Sequence, residues 1–333
     1  MPVTLKQIAK EVGVSHQAVS YALNGNTARV SDATRRRIER AAEKLGYRPN
    51  TAARMMRTTE TGQVGVLIRN SRGNRFTHPL AYETILGINE GLLAKGKLAV
   101  LVRIDDVEAD LADQSRVFKE HALDGMIVLD RMTPRIEQSL EDLIDHVVWC
   151  DSSVWRPHNC IRRDELAAGR LAGQAAARAY GDIVMVSYPG QDRPHFSLGQ
   201  RIDGVRDAVE LAGKPFDTVV EPVTDAERDA FAQRLKPRTA VICNSVYQAH
   251  VVRDIASEAG VIPGRDFGLA CCDDQHQLDR LWRRLSRVSF PRYGMGLQAA
   301  DMLVALTEGD GPQRSVCLDP DFIAGATLAP ARP

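Results

Sequence analysis

Two apolar combs with helical spacing open the chain. Leu5, Ile8, Ala9 and Val12 fall at i, i+3, i+4 and i+7, which puts one stripe on a helix face. Thr4 and Gln7 form a T-x-x-Q capping box ahead of it, and Gly13 breaks it. Ser15 then caps a second helix with Ala18, Val19, Ala22 and Leu23 inward, leaving His16, Gln17, Ser20 and Tyr21 outward. A third helix, capped by Ser31, turns Ile38, Ala41, Ala42 and Leu45 inward and ends at Gly46. The pattern predicts a small three-helix bundle whose first two helices meet at a tight glycine turn, a helix-turn-helix.

From Val64 the period changes. "VGVLI", "LAVLV", "GMIVL", "HVVW", "DIVMVS", "TAVIC" and "GLACC" read as strands buried on both faces. Helical stretches at 80–95, 165–180, 199–211, 246–259 and 293–306 separate them or follow them. Regular alternation of this kind predicts a doubly wound α/β architecture with parallel sheets. Roughly 270 residues and seven or more units suit two lobes better than one.

Between the two regions lies "GYRPNTAARMMRTTETG". Asn50 can cap a helix of about seven residues, too short to stand alone in water. Met55 and Met56 form an apolar pair flanked by Arg54 and Arg57. One use is a linker that folds on DNA and wedges a side chain into a minor-groove base step. The other is a flexible tether whose methionines pack on the next domain.

Charge sharpens this division. The 333 residues carry no formal net charge, but residues 1–61 hold 11 lysines and arginines against 5 aspartates and glutamates. The remainder is acidic by the same margin, so the small N-terminal piece alone calls for a polyanion partner. On the second helix Gln17 can pair bidentately with adenine, while nearby arginines can meet phosphates. The alternative for the bundle alone is a docking or dimerisation module.

No apolar run approaches the roughly 20 residues that span a bilayer. No basic-then-apolar leader opens the sequence either, so a cytoplasmic protein without a membrane partner is expected. Six scattered cysteines suit reduced, core-filling thiols. Cys150, His158 and Cys160 are spaced too loosely for a structural zinc site and lack an evident fourth ligand. The chain has no nucleophile elbow, P-loop, dinucleotide fingerprint or H-E-x-x-H motif. The expectation is a non-enzyme with no cofactor, no metal and no catalytic residue.

In open α/β sheets, ligands lie beyond the carboxyl ends of the strands. The loops there include "RNSRGNRFTHP", "DRMTP", "CDSSVWRPHN", "YPGQDRPHFSLGQR", "NSVYQ" and "CDDQHQ". They are dense in Arg, Asp, Asn, Ser and aromatics, a mixture suited to a highly hydroxylated or anionic ligand.

"TLKQIAKEVGVSHQAVSYALNG", "VSDATRRRIERAAEKLGYRPN" and "AARMMR" together resemble the headpiece and hinge of the LacI/GalR family of bacterial transcription regulators. The resemblance implies His16, Gln17 and Tyr21 as base readers, with tyrosine where an arginine is common. It also places Met56 where the family carries an intercalating leucine. The candidate DNA-contacting set is Thr4, Ser15, His16, Gln17, Ser20, Tyr21, Asn24, Arg29, Asn50, Arg54, Met56 and Arg57.

The remainder is similar to the family's two-lobed, periplasmic-binding-protein-like core, which binds a small effector. "ALDGMIVLD", "RDELAAGRLAG", "SLGQRIDGV" and "CCDD" carry that likeness. They imply Arg201 and Asp274 as effector ligands, within a set of Arg72, Arg75, Phe76, Asp130, Trp155, Ser197, Arg201, Ser245 and Asp274. The chain departs from the family at Asn244, Ser245 and Val246, where Ala-Asn-Asp is frequent, and in its arginine-rich first loop. Arg283 and Arg284 replace a common proline pair.

The expected domains are a headpiece at 1–48, a hinge helix and linker at 49–61, and an effector-binding core at 62–333. Within the core, the first lobe takes about 62–161 plus 290–318 and the second about 162–289 plus 319–333. The implied function is a homodimeric repressor on a pseudo-palindromic operator in double-stranded DNA, controlled by a sugar or an anionic sugar derivative. The alternatives are a carbohydrate-binding module, or an effector-independent regulator whose core serves for dimerisation.

Overall fold

The computed structural model describes residues 3–23, 29–47, 60–70, 81–105, 116–118, 120–129, 131–188, 195–274, 282 and 284–329. The chain divides into two compact units, Met1–Thr61 and Gly62–Pro333.

The first unit holds α1 (Leu5–Val12), α2 (His16–Leu23) and α3 (Asp32–Leu45). Gln7 Oε1 accepts from the Thr4 backbone N–H at 2.7 Å and starts α1, and Gly13 ends it in the left-handed region at φ 73°. Ser15 Oγ accepts from the Ala18 N–H at 3.1 Å and starts α2. Ile8, Val12, Val19, Ala22, Ile38 and Ala42 interlock as the core of this unit. Arg37 of α3 donates to the Val12 carbonyl at 2.9 Å, placing a cation on the carboxyl end of α1, where the helix dipole favours one.

The second unit begins with β1 (Gln63–Asn70), α4 (Ala81–Ala94), β2 (Leu98–Asp105), β3 (Gly125–Leu129), α5 (Pro134–Leu143), β4 (Val147–Cys150) and β5 (Cys160–Arg163). Next come α6 (Glu165–Ala179), β6 (Asp182–Ser187), α7 (Phe196–Leu211), β7 (Phe216–Val220), α8 (Asp225–Ala232) and β8 (Thr239–Cys243). The chain continues through α9 (Val246–Glu258), β9 (Gly268–Cys271), β10 (Ser286–Ser289), α10 (Arg292–Thr307), β11 (Val316–Leu318) and β12 (Asp321–Ile323).

Among the described residues these strands form two six-stranded sheets, ordered β11-β5-β4-β3-β1-β2 and β12-β10-β9-β8-β6-β7. The two orders correspond position by position. Every pairing is parallel except β12 against β10. Each sheet is buried on both faces, which is why its central strands read as unbroken apolar runs. In the first lobe, Val64, Ile127 and Val148 face α4 and α10, while Met126, Val128 and Trp149 face α5. In the second, Ile183, Met185 and Ile242 face α6 and α7, while Val184, Val241 and Cys243 face α8 and α9.

Each lobe is braced by one helix pair packed at glycines. A Cβ on Gly87 would lie 2.1 Å from the Tyr293 carbonyl oxygen, and one on Gly169 would lie 2.2 Å from the Arg201 carbonyl oxygen. No side chain fits at either crossing.

The chain passes between the lobes three times: after β5, after β10, and between β11 and β12. The first passage follows Arg163 rather than residue 161, because Arg163 still pairs with Leu318 in the first sheet. Helix α7 starts at Phe196, three residues ahead of the expected 199, because His195 caps it by accepting from the Ser197 N–H at 3.4 Å. Cys150, Cys160, Cys243, Cys271 and Cys272 are buried free thiols, and Cys317 on β11 is exposed.

Candidate functional site

The apolar side of the first unit is consumed by its own core, which fixes what α2 can show. His16 and Gln17 are exposed, while Ser20 and Tyr21 are half-buried. Arg29 lies over the Tyr21 ring, 5.3 Å from its centroid, and donates to the Tyr21 hydroxyl at 3.2 Å. Thr4 and Ser15 stand exposed at the amino ends of α1 and α2. A polar edge on a short helix, with an arginine beside it, matches the chemistry of a major-groove reader.

In the second unit, the carboxyl ends of the strands gather a dense ionic cluster. Arg163, Glu165, Arg201, Asp273, Asp274 and Arg292 are all buried. Arg201 donates to Glu165 from Nε at 2.6 Å and from Nη2 at 3.0 Å, and Nη2 also reaches Asp273 at 2.6 Å. Its Nη1 donates to the Asn244 carbonyl at 2.6 Å. Arg163 pairs with Asp151 at 2.9 Å and with Glu165 at 3.0 Å, and its Nη1 lies 3.5 Å from Asp273. Arg292 donates to Asp274 at 2.6 Å and also meets Asp273. Ser289 completes Asp274 at 2.5 Å.

Burial alone would raise the Asp273 carboxyl, but the guanidiniums of Arg201, Arg292 and Arg163 hold it well below the usual carboxylate range. Burial likewise opposes the charge on Asp151, and the Arg163 guanidinium facing it keeps that carboxyl low too. Asp151 also sits at φ 51°, a left-handed conformation uncommon for a residue with a side chain. There its carbonyl meets His195 Nε2 at 3.0 Å, one lobe touching the other.

Residues 4–50 match the family described as bacterial regulatory proteins, lacI family, and residues 172–328 match a periplasmic binding protein-like domain. The ribose operon repressor of Lactococcus lactis is 24% identical over 336 residues, covering 99% of both chains. The chain joins a lacI-family helix-turn-helix domain to a periplasmic-binding-protein-like domain.

The fold of this chain is shared across solved structures. The lac repressor dimer bound to operator and the anti-inducer ONPF gives a TM-score of 0.78 at 18% identity, over 99% of this chain and 100% of that one. A LacI family transcriptional regulator from Enterococcus faecium, with bound ribose, gives 0.65 at 17% identity, over 81% of this chain and 100% of that one. Among the described residues, no helix is long and apolar enough to cross a membrane.

Within the second unit, the expected effector residues scatter in environment. Arg201 and Asp274 lie in the ionic cluster, but Arg201 meets Asp273 while Asp274 meets Arg292. Ser197 is buried against His195 Nδ1 at 2.8 Å, and Ser245 shares a 2.5 Å hydrogen bond with Tyr188 while capping α9. Trp155 is half-covered by the Arg162 guanidinium, 4.1 Å from its ring centroid. Arg72, Arg75, Phe76 and Asp130 lie outside the described residues, as do Asn24, Asn50, Arg54, Met56 and Arg57.

Sequence reading missed Asp151, Arg163, Asp273 and Arg292 as site residues. One signal was available: charged residues at the edges of strands with apolar flanks, as in "CIRRDE" and "CCDD". Glu165 lay in "RDELAAGRLAG", one of the runs that carry the likeness to the family's core.

Proposed function

We propose that this regulator is a repressor that binds an operator as a homodimer and releases or tightens its hold when a small polyhydroxyl effector enters between the lobes. The observation that carries the reading is the exposed His16–Gln17 edge of α2, displayed by a helix-turn-helix whose apolar face is fully used. Arg29 fixes the Tyr21 ring beside that edge. Thr4, Ser15, Ser20 and Arg29 then serve phosphate contacts and register.

Self-association is supported by unpartnered apolar side chains on the first lobe. Tyr82, Leu86 and Leu93 form one stripe of α4, and Leu98 and Leu101 stand exposed on the edge strand β2. A two-fold pair of headpieces suits a near-palindromic site.

The effector reading rests on strand ends that converge at the lobe junction, with a relative described as a ribose operon repressor and a fold neighbour holding ribose. Arg201 has one Nη1 hydrogen left after its four hydrogen bonds, so it can touch an effector without abandoning Glu165. We place the function in regulation and not in catalysis.

Selection of bound duplexes from a random pool tests the reading. The expected result is enrichment of an inverted repeat with steep salt dependence. Retention of all sequences alike, or a strictly monomeric chain on duplex in ultracentrifugation, overturns it.

A further inference from the structure

In the second sheet, one cross-strand row reads Val219, Val186, Cys243 and Cys271, paired in register from β7 through β6 and β8 to β9. Its members belong to, or pack against, a single apolar cluster. Side chains repeat on one face every second residue. The next row on that face is therefore Glu221, Tyr188, Ser245 and Asp273, at the carboxyl ends of the strands. The Glu221 N–H still donates to the Ser187 carbonyl at 2.9 Å, so the register holds one step past β7.

This row is the ledge on which an open α/β sheet receives its ligand. Three of its four members are satisfied within the protein. Asp273 takes Arg201, Arg292 and Arg163. Tyr188 and Ser245 hydrogen-bond to each other at 2.5 Å. The half-buried Glu221 has no such partner, and its Oε2 is buried with no hydrogen bond. Burial pushes the Tyr188 hydroxyl up to about 12, with the Glu221 carboxylate adding to the rise. A buried acceptor left unmade costs stability, so its retention points to a donor supplied from outside.

The charge balance narrows the donor. Among the described residues the strand ends carry the carboxylates of Asp151, Glu165, Asp273 and Asp274 against the guanidiniums of Arg163, Arg201 and Arg292, paired with one another, and those of Arg69 and Arg131, which have partners of their own. Glu221 adds a carboxylate that, among the described residues, no salt bridge pairs. An anionic ligand would, among the described residues, have to draw an arginine from its partners and face that carboxylate at once.

Building on the effector reading above, we propose that Glu221 selects the effector: its carboxylate accepts hydrogen bonds from a neutral polyhydroxyl ligand and rejects anionic derivatives of the same sugar. The hydroxyls of Tyr188 and Ser245 flank that contact and complete a polar ledge for adjacent sugar hydroxyls.

The test uses the full chain and three probe classes: D-ribose, D-glucose and D-galactose; their aldonic acids; and their phosphomonoesters. Calorimetric binding and operator affinity are measured for wild type and for Glu221→Gln. The expected result is binding of a neutral sugar, with acid and phosphate counterparts bound at least about tenfold more weakly. Glu221→Gln should lose about tenfold in affinity for that sugar while its unliganded melting temperature stays equal or rises, because a half-buried carboxylate with an unsatisfied oxygen has gone. Glu221→Lys, measured alongside, should narrow the gap between neutral and anionic probes. Preference of wild type for an anionic probe, or full affinity in Glu221→Gln, overturns the Glu221 assignment and leaves the effector reading standing. Failure of every probe to bind or to alter operator affinity overturns both.

Discussion

Arg201 donates to Asp273 at 2.6 Å, and the two side chains are only 3% and 1% exposed. Glu165, at 0% exposure, takes two further donors from the same guanidinium. A charge pair this deep gives little net stability when intact, but removing one partner strands the others without water. Arg201→Ala should therefore lower the unfolding free energy by about 3–5 kcal/mol in urea titration. A loss below about 1 kcal/mol, as for an exposed pair, would mean that the cluster is solvated in solution.

Acid should loosen the core through the same cluster. Asp151 and Asp273 have folded-state values held below the ordinary carboxylate range. Groups shifted down stabilise fully above their unfolded value, about 3.9, and that stability is lost as pH falls toward the lowered folded value. Melting temperature should fall steeply below about pH 5. Asp273→Asn is less stable at neutral pH, and its gap to wild type should shrink on acidification. A gap that stays constant between pH 7 and pH 3 would remove Asp273 as the titrating group.

Gly169 offers a steric test. A methyl group there meets backbone, the Arg201 carbonyl oxygen at 2.2 Å and the Gly204 Cα at 3.0 Å, so α6 and α7 must separate. Gly169→Ala should cost about 1–3 kcal/mol, the range for overpacking a close contact. Gly199 lies in the same helix pair but meets nothing within 4 Å, and Gly199→Ala should gain up to about 1 kcal/mol from helix propensity alone. Equal effects at both positions would contradict the packing.

Gln17 gives the specificity test. Gln17→Ala should weaken binding to the selected operator by about 1–3 kcal/mol, with little change on scrambled duplex. Fluorescence anisotropy on the two duplexes separates these outcomes, and equal losses would show that Gln17 reads no base.

Legibility in the sequence followed burial. Strands β1, β3, β6, β8 and β9 lie inside their sheets and announce themselves as apolar runs. In the second lobe β10 is also interior and buried but reads as the polar run "SRVS", while β7 and β12 are edges. β7 exposes most of its side chains, and β12 is a three-residue edge. β5, "CIRR", hides an arginine that enters the core only because Asp151 and Glu165 wait for it. No local pattern reveals a partner 12 residues away on one side and Asp273, 110 residues away, on the other. Helices α5 and α8 were equally silent in the periodicity, the second with only Phe231 buried.

The headpiece was clearer because caps, glycines and stripes all act within a few residues of one another. What α2 shows to solvent could be read as the remainder of that pattern. The contact of Arg29 with Tyr21 could not, since it spans a turn.

Three strands of backbone tie the lobes together, and the ionic cluster is mounted on two of these ties, through Arg163 and Glu165 on one and Ser289 and Arg292 on the other. Bodies strapped in this way can swivel about a common axle but cannot glide apart. A guest that pries them open must twist every strap together, and any half-turn would leave several charges stranded. A snap and not a drift is expected: tryptophan fluorescence and the change in duplex affinity should trace one superimposable titration curve.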